Sequence, residues 1–79
     1  MSPLPFARPY RLAILAVTLR AHALHLAEDG KHLEAQRAMA LHEAAHHGAG
    51  GDRQGMRLAL SEARFLRRAA RRQRHAVLA

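Results

Sequence analysis

The chain has 79 residues, a formal net charge of +7 at pH 7 with neutral histidines, and no cysteine. This length allows one domain at most, and the lack of cysteine excludes disulfides, thiolate metal sites and thiol catalysis. So large a charge on so small a domain favours an acidic partner, namely nucleic acid, an anionic membrane or an acidic protein surface.

The N-terminal segment, residues 1–8, contains two prolines and is expected to be an extended arm. Together with the apolar run LAILAVTL and the small-residue triplet at 21–23, it resembles a short signal peptide. The run has only eight residues and Arg20 follows it directly, so we expect a cytoplasmic protein, with secretion as the alternative. The run is also too short for a membrane span, which takes about 20 apolar residues.

Three helices are predicted, over residues 9–28, 31–46 and 53–76, with residues 77–79 as a tail. Gly30 ends the first as a left-handed cap, and Asp52 begins the third as an N-cap after a glycine cluster. One face of the first helix carries Leu12, Leu15, Leu19, His22 and Leu26, and Ile14, Val17 and Leu24 widen it. Because it is apolar over much of its circumference, the first helix is expected to be the central one.

No segment shows the period-two alternation of a β-strand. The short break after the first helix predicts an antiparallel hairpin, across which the third helix returns. The predicted fold class is therefore all-α, a small three-helix bundle made of a helical hairpin and a long basic C-terminal helix. Much of the apolar content is alanine, so the core is small, and we expect a homodimer or stabilisation by a bound partner.

The segment HEAAH, from His42 to His46, has the spacing of a zinc metalloprotease helix. Two imidazoles at i and i+4 can share a zinc ion, and Glu43 could serve as a general base. However, Ala49 stands where the longer protease pattern has glycine, and such enzymes bind substrate along a sheet edge. We therefore expect no catalysis and no required cofactor, and keep zinc binding through His42, His46 and Asp52 as the alternative.

The third predicted helix has an almost purely cationic face. At about 100° per residue, one narrow stripe and its two flanks collect the basic side chains. The stripe contains Arg53, Arg57, Arg64, Arg68, Arg71 and His75, and the flanks are Arg67 and Arg72. The opposite side carries Ala59, Ala63, Leu66, Ala70 and Val77. Like charges four residues apart repel, so the run is explained if phosphates or carboxylates cover it, although an arginine-rich composition alone would also produce it.

We expect the stripe to bind DNA or RNA mainly through phosphates, with weak sequence specificity. Phe65 is the one aromatic residue of this helix and is assigned to its apolar side, so stacking on single strands is not expected. The alternative is a protein-binding adaptor or inhibitor, such as a small phage- or plasmid-type regulatory factor, that docks the same helix on an acidic surface. The alanine-rich apolar side disfavours membrane binding, and no feature indicates a small-molecule substrate.

Overall fold

The computed structural model describes residues 7–78, with side chains described from residue 10 to residue 76. It contains three helices, α1 (Ala7–Glu28), α2 (His32–Ala49) and α3 (Arg53–Leu78). No strand occurs within these residues, and the predicted all-α three-helix bundle is confirmed. None of these helices has the length and hydropathy needed to cross a lipid bilayer, as far as the described residues go.

The helix bounds differ from the predicted ones at four places, one of them by a single residue, since α2 begins at His32 and Lys31 is its N-cap. α1 begins at Ala7, so residues 7 and 8 are helical, and the rest of the predicted arm lies outside the described residues. α2 passes through Gly48 and ends at Ala49, because a glycine costs a helix only about 1 kcal/mol and is tolerated where neighbours approach closely. α3 continues to Leu78, so most of the predicted tail is helical, and residue 79 lies outside the described part.

Both turns between helices are closed by a glycine in the left-handed region. Gly30 has a φ of +76° and Gly51 a φ of +81°, which glycine adopts without a steric penalty. Each of these glycines and the residue after it donate backbone hydrogen bonds into the last turn of the preceding helix, which is the Schellman arrangement. These bonds run from Gly30 to Ala27, Lys31 to Leu26, Gly51 to Gly48 and Asp52 to His47. The predicted break at Gly30 is thereby confirmed.

Asp52 joins the end of α2 to the start of α3. Its backbone N–H donates to the carbonyl oxygen of His47 at 2.8 Å, and its Oδ1 accepts from the backbone N–H of Gly55 at 2.9 Å. Its Oδ2 lies 3.3 Å from Nδ1 of His47. The predicted N-cap is confirmed, and Gly55 leaves room for it, because a Cβ there would lie 2.5 Å from that Oδ2.

The central helix is α2, and the prediction that the first helix is central is wrong. α1 and α3 both pack along α2, but the backbones of α1 and α3 stay more than 8 Å apart, measured between Cα atoms, throughout the described ranges. The physical reason is side-chain size. α2 presents alanine on both sides, and small side chains let two neighbouring helices approach it closely.

The buried residues between the helices are nearly all alanine. The buried residues are Ala16 and Ala23 on α1, Ala35, Ala38, Ala40, Ala44 and Ala45 on α2, and Ala59, Ala63 and Leu66 on α3. Leu33 and Leu41 pack, half-buried, against Ala40, Ala63 and Leu66. No large side chain is fully buried between residues 10 and 76. Because burial contributes only about 0.8 kcal/mol per CH₂ group, an alanine core stabilises the fold weakly.

Several large apolar side chains lie at the surface instead. On α3, Leu58 and Phe65 are 66% and 62% exposed. The assignment of Phe65 to the apolar side is wrong, because it lies about 120° around the helix from Ala59 and its buried neighbours. On α1, the most exposed is Val17, at 71%.

We expect Asp52→Ala to lower the free energy of unfolding by about 1 kcal/mol, because it removes the N-cap of α3 and the partner of His47. The matched control is Asp29→Ala, which removes the same charge at the other turn, where no side-chain cap bond begins α2. Urea denaturation followed by circular dichroism measures both. Equal losses in the two variants would contradict the capping role.

Candidate nucleic-acid interface

The residues of the predicted stripe lie on the outer surface of α3. The helix carries eight arginines and one carboxylate, that of Glu62. All of the predicted binding side chains are exposed, namely Arg53, Arg57, Arg64, Arg67, Arg68, Arg71, Arg72 and His75. The ion pairs formed among the described side chains are His25–Glu28 at 3.9 Å and His47–Asp52 at 3.3 Å. Within that part of the chain, therefore, no arginine of α3 is neutralised by a carboxylate.

The packing of α3 fixes the direction of this surface. Ala59, Ala63 and Leu66 are buried against the rest of the bundle, as the helical periodicity of the sequence predicts. The arginines of the predicted stripe lie away from these buried residues, and their side chains are exposed. At about 1.5 Å per residue, the stretch from Arg53 to His75 is about 33 Å long.

A second group of basic side chains lines a groove of about 540 Å³ between the three helices, next to the α1–α2 turn. α2 contributes Arg37 and α3 contributes Arg67, Arg71 and Arg74. Apolar residues of all three helices line the groove as well, and Glu34 is the carboxylate among its lining residues. We name this the cationic groove. It meets the arginine stripe of α3 at Arg71 and the flank of that stripe at Arg67.

Sequence reasoning missed three of the basic residues that line the cationic groove: Arg37, Arg74 and His22. Arg74 follows Arg67 by seven residues and Arg71 by three, so helical spacing alone was enough to place it on the same side. Arg37 and His22 belong to other helices. Only the packing of α1 and α3 on α2 brings them to this groove.

The groove continues along α2 toward the α2–α3 turn, where its lining becomes apolar. This second stretch, the apolar groove, has a volume of about 350 Å³. Its lining residues are Leu12, Leu15, Leu19, Leu41, Ala44, Ala45, Met56 and Leu60. Leu19 and Leu41 line both stretches, so the two are continuous. The groove forms because the backbones of α1 and α3 stay apart above α2 over the described ranges.

The first histidine of the HEAAH segment, His42, forms a hydrogen bond that joins α2 to α1. Nδ1 of His42 lies 2.6 Å from the backbone carbonyl oxygen of Ala16 in α1. A carbonyl oxygen only accepts, so this Nδ1 carries the proton and donates the bond. His46 is exposed, with its ring centroid 6.2 Å from that of His42.

The three zinc-ligand candidates do not come together. Asp52 contacts His47 and Gly55 instead of His42 and His46. Among the described residues, no group of three histidine or acidic side chains is arranged to hold a metal ion. The helical i, i+4 spacing of the two histidines offers two ligands, whereas structural zinc sites use four and catalytic ones at least three.

No family model matches the chain, and comparisons with curated proteins and with solved structures found no similar protein. A function must therefore be inferred from the chemistry of the cationic surface itself.

We expect His42→Ala to lower the free energy of unfolding by about 1 kcal/mol, because it removes a half-buried hydrogen bond between α1 and α2. His46→Ala, in the same segment but exposed, is expected to change it by less than about 0.5 kcal/mol. Chemical denaturation of the two variants side by side tests this. A larger loss in His46→Ala would show that the exposed histidine has a structural role.

Proposed function

We propose that this chain binds nucleic acid, mainly through backbone phosphates, with the exposed arginine face of α3. One observation carries the proposal: eight arginines lie along one helix, and those of the stripe are exposed and lack carboxylate partners among the described side chains. The proposed role is binding without catalysis and without a cofactor. It implies a cytoplasmic location.

Electrostatic repulsion supports an anionic partner. Arg53 and Arg57, Arg64 and Arg68, and Arg68 and Arg72 are like-charged neighbours at i and i+4, each pair costing a few tenths of a kcal/mol. Phosphates that lie between them would turn this cost into attraction. Arginine suits the task because its planar guanidinium can donate two parallel hydrogen bonds to one phosphate.

The dimensions of α3 also fit double-stranded DNA. A helix about 10–12 Å across matches the width of the major groove, about 12 Å. The cationic stretch of about 33 Å approaches one turn of the duplex, about 34 Å. Phe65 is exposed beside the stripe, but one ring provides a single stacking contact. Phosphate contacts therefore dominate the proposed binding, and duplex RNA remains a candidate beside DNA.

The cationic groove extends the proposed surface onto α2. A strand that follows the C-terminal half of α3 meets Arg67 and Arg71, which line both the stripe and the groove. Beyond them lie Arg74 and the half-buried Arg37. One phosphate in the groove would thus contact two helices, which would fix the orientation of the nucleic acid on the bundle.

We expect Arg64→Gln/Arg68→Gln to weaken binding of both duplex DNA and duplex RNA and to make it less sensitive to salt. Each lost phosphate contact reduces the slope of log K against log salt by about 0.9, so two contacts reduce it by about 1.8. Fluorescence anisotropy with labelled duplexes, repeated over a salt series, measures both quantities.

The matched control is Arg11→Gln/Arg20→Gln, which removes the same charge from the exposed surface of α1. Its affinity and salt slope are expected to stay close to those of the unmodified chain. If neither nucleic acid binds at low salt, or if both double variants lose affinity equally, the α3 stripe is not the binding surface.

The groove extension has its own test. We expect Arg37→Gln to weaken duplex binding by about 2 kcal/mol, comparable to the loss of one charge-assisted hydrogen bond, although this residue lies on α2. Arg20→Gln, also a single arginine outside α3, is the control. An unchanged affinity in Arg37→Gln would confine the phosphate contacts to the arginine stripe of α3.

The second candidate function is docking of a partner helix along the cationic and apolar grooves. The contrast between their linings favours it. Apolar side chains line one end and arginines the other, around a position where a fourth helix could pack on α2. An amphipathic helix with acidic residues at one end would complement both ends. Such an adaptor or inhibitor would need the apolar groove, whereas nucleic acid would bind the arginines of α3 and the cationic groove without it.

Leu15→Glu discriminates between the two functions. Leu15 lines the apolar groove and is 47% exposed, so the substitution places a carboxylate in the groove with little effect on the fold. Helix docking would be lost, whereas duplex binding would continue. A complex with an apolar contact also survives high salt, while a phosphate complex dissociates.

A further inference from the structure

α1 carries a row of apolar side chains on the side that faces away from the bundle. Tyr10, Ile14, Val17 and Leu24 are 62%, 50%, 71% and 53% exposed, and Ala21 between them is exposed as well. These positions follow one another at intervals of four, three, four and three residues. This is the spacing that lines one side of a helix in a coiled coil.

The side chains of this row are not buried within the bundle. We call the row the outer stripe of α1. The opposite side of α1 packs on α2 through Ala16 and Ala23. Half-exposed aromatic and branched aliphatic side chains in a continuous line are an apolar patch, and patches of this kind mark contact surfaces in proteins.

We propose that the outer stripe of α1 is a self-complementary interface, on which a second copy of this chain docks through antiparallel α1 helices. With Glu28 as the next position after Leu24, the intervals are four, three, four, three and four, which read the same in both directions, so an antiparallel copy matches every position. With the twofold axis midway between Val17 and Ala21, each Val17 lies opposite Ala21 of the second copy. Ile14 then lies opposite Leu24, and Tyr10 opposite Glu28.

Charge selects the antiparallel orientation. Glu28 continues the line of the stripe at the C-terminal end of α1. In a parallel pair the two Glu28 carboxylates would face each other, and the two copies of Arg11 would lie at the same level. In the antiparallel pair, Glu28 of one copy lies next to Arg11 of the other, and both charges gain an opposite partner.

Charge also favours a second copy over an acidic partner at this stripe. The net charge of +7 makes two copies repel, but eight of the basic residues belong to α3, and α2 separates α3 from α1 over the described ranges. Two copies that meet on α1 therefore keep their arginine-rich α3 helices apart. An acidic partner would be drawn to α3. This inference does not rest on the proposed nucleic-acid function.

Analytical ultracentrifugation of the full chain tests the interface. We expect a concentration-dependent dimer in the unmodified chain. Val17→Glu, which places a carboxylate next to the twofold axis, is expected to raise the dissociation constant of the dimer at least tenfold. Leu24→Gln is a second variant with a milder change, also expected to raise it. Circular dichroism checks that both keep the helix content of the unmodified chain.

The matched control is Leu58→Glu, a substitution of the same kind at a similarly exposed apolar residue on α3, 66% against 71% for Val17. It is expected to leave the dimer intact. A chain that stays monomeric up to millimolar concentration overturns the proposal, and so does a dimer that is lost in Leu58→Glu but kept in both α1 variants.

The orientation has a separate readout, because the natural chain has no cysteine. Tyr10→Cys and Glu28→Cys, mixed and oxidised, are expected to form the mixed disulfide, since these positions face each other in the antiparallel pair. Tyr10→Cys alone is expected to cross-link poorly. Efficient cross-linking of Tyr10→Cys to itself would overturn the antiparallel arrangement.

Discussion

Close approach of helices across alanine determines the architecture of this chain. α2 carries alanine on two sides and therefore becomes the central helix, although α1 has more large apolar residues. Side chains of all three helices come close together at Gly48, where a Cβ would lie 3.1 Å from Sδ of Met56 and 3.2 Å from Cδ1 of Leu12. Alanine gives little hydrophobic energy and little steric specificity, since its surface is small and nearly featureless.

Specific hydrogen bonds fix the register of the helices along one another, which contacts between alanines do not fix. The bond from His42 to the carbonyl oxygen of Ala16 ties α2 to α1 at one point along their length. Asp52 ties α2 to α3 at their shared turn. Both bonds are modest, about 1 kcal/mol each, but a small bundle is only marginally stable and a contribution of that size matters.

The same packing explains where the charge and the apolar surface lie. Once Ala59, Ala63 and Leu66 face α2, helical geometry directs the arginines of α3 into solvent. Once Ala16 and Ala23 face α2, it directs Val17 and the other residues of the outer stripe of α1 outward on the far side. The proposed phosphate surface and the proposed dimer surface are thus separated by the central helix.

Local rules in the sequence were sufficient for the helices and for most of the cationic surface. Gly30 and Asp52 act through their own backbone and side chain, so the turn and the cap were predictable without knowledge of neighbours. Three features depend on which face of each helix meets α2. They are the central position of α2, the exposure of Phe65 and the location of Arg37 in the cationic groove. Periodicity identifies an apolar face but does not say whether it packs within the chain or against another molecule.

The separation of α1 from α3 across the described ranges has a consequence for how this sequence can change. A substitution in a packed core usually demands compensation from every element that shares the contact. Here α1 and α3 approach each other at side chains such as Leu12 and Met56 beside Gly48, so a change on the outward side of α1 leaves the packing of α3 on α2 unaltered. The outward sides of the first and third helices can therefore change independently, as long as the alanines of α2 and the side chains around Gly48 remain.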